Sequence, residues 1–124
     1  MKVWRMLNLN PVGNRTGDCA IRAVAAALNI SWDDAYDMIC QRAKRMGEIT
    51  SADAAWGSVL RQYGFNRSVI PNNLPDCYTA EDFCLDHPKG IYVLGFGNHT
   101  ATVIDGFIYD TWDSSQLCPV YYWH

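Results

Sequence analysis

The apolar positions change their spacing past the middle of the chain. From Asp18 to Tyr63 they recur at helical intervals; from Ile91 onward they come in aliphatic and aromatic runs. In CAIRAVAAALN the residues Ile21, Val24, Ala25 and Leu28 form one stripe, which predicts a helix starting near Asp18 as N-cap and stopping at Asn29. Ser31 with Asp34 three residues on resembles a capping box, with Asp in place of Glu. It opens a second helix, WDDAYDMICQRAKRM, ending at Gly47, whose acidic start and basic end match the helix dipole. A third helix is expected from Thr50 or Ser51 to Tyr63, with Gly64 as its C-cap.

Phe65 to Ile70 reads as a short strand before the turn-rich PNNLPD. Thr79 can cap a short helix, AEDFCLDH, stopped by Pro88 and Gly90. IYVLGF reads as a strand. HTATVI-DG-FIYDTW reads as a hairpin, because Asp105-Gly106 is a favoured two-residue turn between strand-forming runs. PVYYW is one more strand, and Pro119 at its start suits a sheet edge. Helices followed by strands predict an α+β class, with the helices packed on an antiparallel sheet in one domain spanning 1–124.

The hairpin has a chemical consequence. With Asp105 and Gly106 as the turn, Ile104 pairs with Phe107, Ala101 with Asp110 and His99 with Trp112. Side chains alternate along a strand, so His99, Asp110 and Trp112 share a face. His99 and Asp110 are then diagonal neighbours, roughly 7–8 Å apart at the backbone, a gap long side chains close. A carboxylate in reach of an imidazole fixes its tautomer and stabilises its protonated form. Trp112, opposite His99, is placed to keep water off that contact. A slip of one residue would separate the pair onto opposite faces.

Of five cysteines, Cys19, Cys40, Cys77, Cys84 and Cys118, one has an unusual place. Cys19 opens the first helix, directly after the turn-prone NRTGD. Free N–H groups and partial positive charge at a helix start favour a thiolate and can hold an oxyanion forming beside it. His87, before Pro88, and His124, at the end of the sequence, are less well placed to serve it. An odd cysteine count without a CxxC pair does not read as a disulfide framework or a zinc site. The other four are expected to be small core hydrophobes, in a reducing cytoplasm.

The remaining composition narrows the partners. The chain has 124 residues, 49% hydrophobic and 19% charged, in the range of one globular domain. A net charge of −3 speaks against a nucleic-acid protein. Arg42, Lys44 and Arg45 fall on one helical segment and read as a solvated face. MKVWRMLNLNPVG lacks the apolar core of a signal peptide, and no run is long enough to span a bilayer, so no membrane association is expected. No His, Cys and Asp group has metal-ligand spacing, and no metal or cofactor is expected.

The order Cys19, His99, Asp110 resembles the papain-like cysteine peptidase superfamily. There the nucleophilic Cys opens the central helix, and a strand His and an Asn or Asp follow. Asp110-Thr111-Trp112 resembles that family's Asn-Ser-Trp. Asp18-Cys19 before an Ala-rich helix resembles the bacteriocin-processing branch. TGDCAIRA with HTATVIDGFIYDTWDS is similar to small cysteine-protease-like proteins encoded by phages and bacteria, a likeness covering nearly the whole chain. It implies a papain-like fold and a thiol hydrolase acting on a peptide or isopeptide bond of a peptide or protein substrate, with acyl transfer as a variant. Cys19 would be the nucleophile, His99 the base and Asp110 its orienting group. Family members usually carry a Gln six residues before the Cys to complete the oxyanion hole. Gly13 stands there, with Asn14 next to it and Asn10 as another amide. The missing Gln and the aromatics Trp4, Trp32, Trp56, Tyr121, Tyr122 and Trp123 suit a second reading, a binding module for a host protein with an idle triad.

Overall fold

In a computed structural model, which describes residues 2–72 and 76–124, four helices and a six-stranded sheet form an α+β domain. The expected turn PNNLPD lies partly outside the described residues. Helix α1 is Cys19–Leu28, α2 Trp32–Met46 and α3 Asp53–Gln62. Strand β1 is Trp4–Met6 and β2 Arg67–Val69; helix α4 is Ala80–Asp86. Strands β3 (Ile91–Gly95), β4 (Thr100–Ile104), β5 (Phe107–Asp110) and β6 (Tyr121–Trp123) follow.

The helix ends follow their local chemistry. Ser31 accepts a hydrogen bond from the Asp34 N–H at 3.0 Å. Thr79 and Asp82 form a reciprocal capping box at the start of α4. Asn29 and Gly47 close α1 and α2 in the left-handed conformation. Helix α3 starts at Asp53, later than Thr50 or Ser51, with uncapped Ala52 before it. Arg42 is not part of a solvated face: its guanidinium donates to the Ser58 carbonyl and to Gln62, tying α2 to α3.

The sheet order is β1-β5-β4-β3-β6-β2. Asp105 (φ 49°) and Gly106 (φ 82°) form the two-residue turn, and Ile104 pairs with Phe107, Val103 with Ile108 and Thr102 with Tyr109. Positive φ at both turn positions is what a type I′ hairpin requires. Two sequence expectations need correction. The sheet is mixed, because β1 pairs in parallel with β5, and strand material comes from the N-terminal half too. β6 lies between β3 and β2, so it is an inner strand, and Pro119 sits before it, not within it. Gly95 faces Tyr121 across β3 and β6. A Cβ there would fall 2.0 Å from the Tyr121 ring, so only glycine lets that ring lie over the strand.

Two apolar clusters lie on the two faces of the sheet. Val24, Ile39, Trp56 and Leu60 of α1 to α3 pack with Val93 and Trp123; Phe83 of α4 packs with Leu94, Val103 and Ile108. Alternation along β3 separates Val93 from Leu94. The alanines of α1 are buried on most sides, which lets α2, α3 and the sheet approach it closely. The Thr102 hydroxyl donates to the Ala23 carbonyl at 2.8 Å and fastens α1 to β4. Cys77 and Cys118, expected as core hydrophobes, are instead joined by a disulfide with Cα atoms 6.0 Å apart. Cys84 is buried in the core as expected, while Cys40 is half-buried. Among the described residues no helix is long and apolar enough to cross a membrane.

Candidate active site

Cys19, His99 and Asp110 come from α1, the segment before β4 and the end of β5, and the fold brings them together. Asp110 is buried, 1% exposed. One carboxylate oxygen accepts from His99 Nε2 at 2.6 Å and from the Ser114 hydroxyl at 2.7 Å. The other accepts from the Thr111 N–H at 2.8 Å and from Arg22 Nη1 at 3.2 Å. Burial alone would raise its proton affinity. The bonds from His99 and Ser114, the positive imidazole and the Thr111 N–H outweigh it and hold Asp110 below the usual carboxylate range.

With Nε2 given to Asp110, Nδ1 is the His99 nitrogen left for Cys19. Burial pulls His99 down, but the bond to Asp110, then the bond to Cys19 and both opposite charges, lift it to about 9. Burial likewise pushes the Cys19 thiol up, whereas His99, then the Thr100 side chain and backbone, bring it down from 9.0 to about 7. The Thr100 hydroxyl is buried and meets no partner in strict hydrogen-bond geometry, so its proton remains available to the sulfur. The order of the two values favours a thiolate beside an imidazolium between about pH 7 and pH 9.

Asp18 does not cap α1, contrary to expectation. Its carboxylate accepts from Arg22 Nε at 2.8 Å, Trp32 Nε1 at 3.0 Å and Asn10 Nδ2 at 3.3 Å. No side chain caps the helix, so the first N–H groups of α1, that of Cys19 included, have neither an intrahelical nor a capping partner. Asn10 is thereby committed to Asp18 and is not an oxyanion donor. Asn14 lines a cavity of about 310 Å³ together with Cys19, Asn98, His99 and Trp112. A second cavity of about 190 Å³ also contains Cys19, Asn98 and His99 and is closed by Asp53, Trp56 and Thr100. Cys19 therefore lines both cavities. Among the described residues no group of three His, Cys, Asp or Glu stands where it can hold a metal ion.

Trp112 lies over His99, with ring centroids 4.8 Å apart, and is 44% exposed. Trp112→Ala should shift the unfolding midpoint little, because a half-exposed ring contributes little to the core. Letting water compete for the His99–Asp110 bond should weaken it by about 1 kcal/mol, roughly fivefold in turnover. Equal loss of folded protein and of turnover would make Trp112 a packing residue only.

Arg22, Ser114, Thr100 and Asn98 escaped the sequence reading. Arg22 had a signal, since it stands four residues after Asp18 on one helix face. Ser114 and Thr100 had none, because only the fold brings them to Asp110 and Cys19. No family model matches the chain, and no curated protein or solved structure matches it.

Proposed function

We propose that the protein is a papain-like cysteine hydrolase that cleaves a peptide or isopeptide bond through Cys19, His99 and Asp110. The observation that supports it is the thiol at about 7, coupled to a histidine whose far nitrogen is bonded to a buried carboxylate at 2.6 Å. The thiolate attacks the carbonyl carbon and its electrons move to the oxygen. The Cys19 N–H, with the Asn14 or Asn98 amide at the same cavity, holds that oxyanion. His99 gives its proton to the leaving nitrogen, the C–N bond breaks, and an acyl thioester remains on Cys19. Water then attacks; His99 takes its proton, and the carboxylic acid leaves as the thiolate is restored. Asp110 keeps His99 oriented throughout. An amine in place of water gives acyl transfer.

The pH dependence tests this arrangement. Cys19 alkylation by iodoacetamide should rise through about pH 7, as the thiol ionises. Turnover should rise on the same limb and fall again near pH 9, where the imidazolium loses its proton. A Cys19 alkylation limb near 9 would show an ordinary thiol and defeat the proposal. The second reading, a binding module with an idle triad, draws support from Asn10 being tied to Asp18. It predicts fast alkylation of Cys19 without turnover.

A further inference from the structure

We infer that the groove leading away from Cys19 past Asp53 ends in a subsite for a carboxylate of the substrate. This rests on the proposed hydrolase reading and names its substrate class: a peptide with an acidic group near the reacting carbonyl. Asp53 is the shared wall, lining both the cavity at Cys19 and a further cavity of about 360 Å³. That further cavity runs along α3 and carries Arg61 of α3 and Arg67 of β2.

Each guanidinium lies over an aromatic ring. Arg61 Cζ lies 4.9 Å from the Trp123 ring centroid, and Arg67 Cζ lies 4.1 Å from that of Tyr121. Tyr121 and Trp123 are alternate residues of β6 and present their rings to the same side. An aromatic ring under a guanidinium attracts its charge and accepts no conventional hydrogen bond from it, which leaves the N–H donors to a carboxylate. Among the described residues neither arginine is in an ion pair with a carboxylate. Among the described residues Asp53 is the only acidic one lining it, and its carboxylate accepts from the Tyr121 hydroxyl at 3.1 Å. Two positive charges against one negative leave the cavity positive. Gly57 keeps α3 close to the floor, since a Cβ there would fall 2.7 Å from the Trp123 ring.

The spacing sets where the acid belongs. From Asp53 to Arg61 the helix rises about 12 Å at about 1.5 Å per residue. An extended peptide covers about 3.3 Å per residue, so the stretch beside α3 alone takes three to four residues, and the carboxylate should stand at least that far from the reacting carbonyl.

Thiol-directed peptide probes test this without knowledge of the natural substrate. One set carries an N-terminal chloroacetyl group and the other a C-terminal chloromethyl ketone, so that both chain directions are sampled. Each has one to five glycines and then Glu or Gln with its own chain end blocked, and the chloroacetyl set adds probes with a free C-terminal carboxylate, which separates an acidic side chain from a terminal carboxylate. In at least one set the Glu or free-carboxylate probe of matching length should alkylate Cys19 about tenfold faster than its Gln counterpart. The advantage should fall with added salt. It should disappear in Arg61→Ala and Arg67→Ala, separately and together, while iodoacetamide reacts with Cys19 at the same rate in all. A ratio of one in every probe, or a ratio that survives both arginine variants, overturns the subsite. If iodoacetamide itself shows no preference for Cys19, the hydrolase reading fails instead.

Discussion

His99→Ala should move the titration of Cys19 from about 7 back to 9 or above, and turnover should fall by about 10³-fold to 10⁴-fold. Of the influences that lower the thiol, the bond to His99 is the largest, and burial, which raises it, stays when the imidazole goes. At pH 7 the thiolate fraction would drop about fiftyfold for a two-unit rise. A thiolate of higher pKa is the better nucleophile, by about eightfold over the same interval, so alkylation at pH 7 should slow only about sixfold. Turnover loses far more, because no group then protonates the leaving nitrogen. The rate of iodoacetamide labelling of the Cys19 peptide across pH 5 to 10, as an experimental range, separates the two effects. A Cys19 limb unchanged by His99→Ala would mean that the histidine does not act on the thiol.

Asp110→Ala should cost about 3 kcal/mol of stability as well as most of the activity. The carboxylate is bonded from four directions, and its removal leaves the Ser114 hydroxyl and one arm of Arg22 without their partner. Arg22 keeps Asp18, at 2.8 Å, which keeps the loss moderate. Asp110→Asn should lose less stability but still much activity. His99, Thr111 and Arg22 all donate to this position, so an amide NH₂ opposes a donor whichever way it turns. The relief is for His99 to place its proton on Nδ1, the tautomer that cannot accept a proton from the thiol. The basic limb should also retreat from about 9, because Asp110 is the leading cause that raises His99. Urea unfolding ranks the stabilities, and the pH profile reads the histidine. Equal behaviour of the Ala and Asn variants in both would reduce Asp110 to a packing residue.

The hairpin carried most of what the sequence disclosed. Asp105-Gly106 is a turn with a specific backbone demand, so the register from Ile104–Phe107 to Thr102–Tyr109 followed from two residues; His99 lies before β4, beyond those pairs, and reaches Asp110 through its side chain. Helices α1, α2 and α4 were readable for the same reason, through stripes and caps. Strand β1 was not, since Trp4, Arg5 and Met6 are too few to show alternation and pair in parallel with a distant strand. The inner place of β6 depends on β2 crossing to its far side, which no local pattern encodes. The Cys77–Cys118 pairing is likewise a property of the fold, because cysteine spacing does not determine connectivity. Asp18 shows the opposite failure. Its position suited a cap, but Arg22, Trp32 and Asn10 claim its carboxylate, and the uncapped helix start is what leaves N–H groups beside Cys19.

The central claim is that Cys19 forms and releases an acyl group, and p-nitrophenyl acetate with mass mapping tests it directly. The expected result is a burst of one p-nitrophenol per chain, a single acetyl group on Cys19, and continued release as the thioester is hydrolysed. Cys84, buried and pushed up to about 12, should stay unmodified. An acetyl group on Cys40 or Cys84 instead, or an acetyl-Cys19 that accumulates without further turnover, would contradict the account.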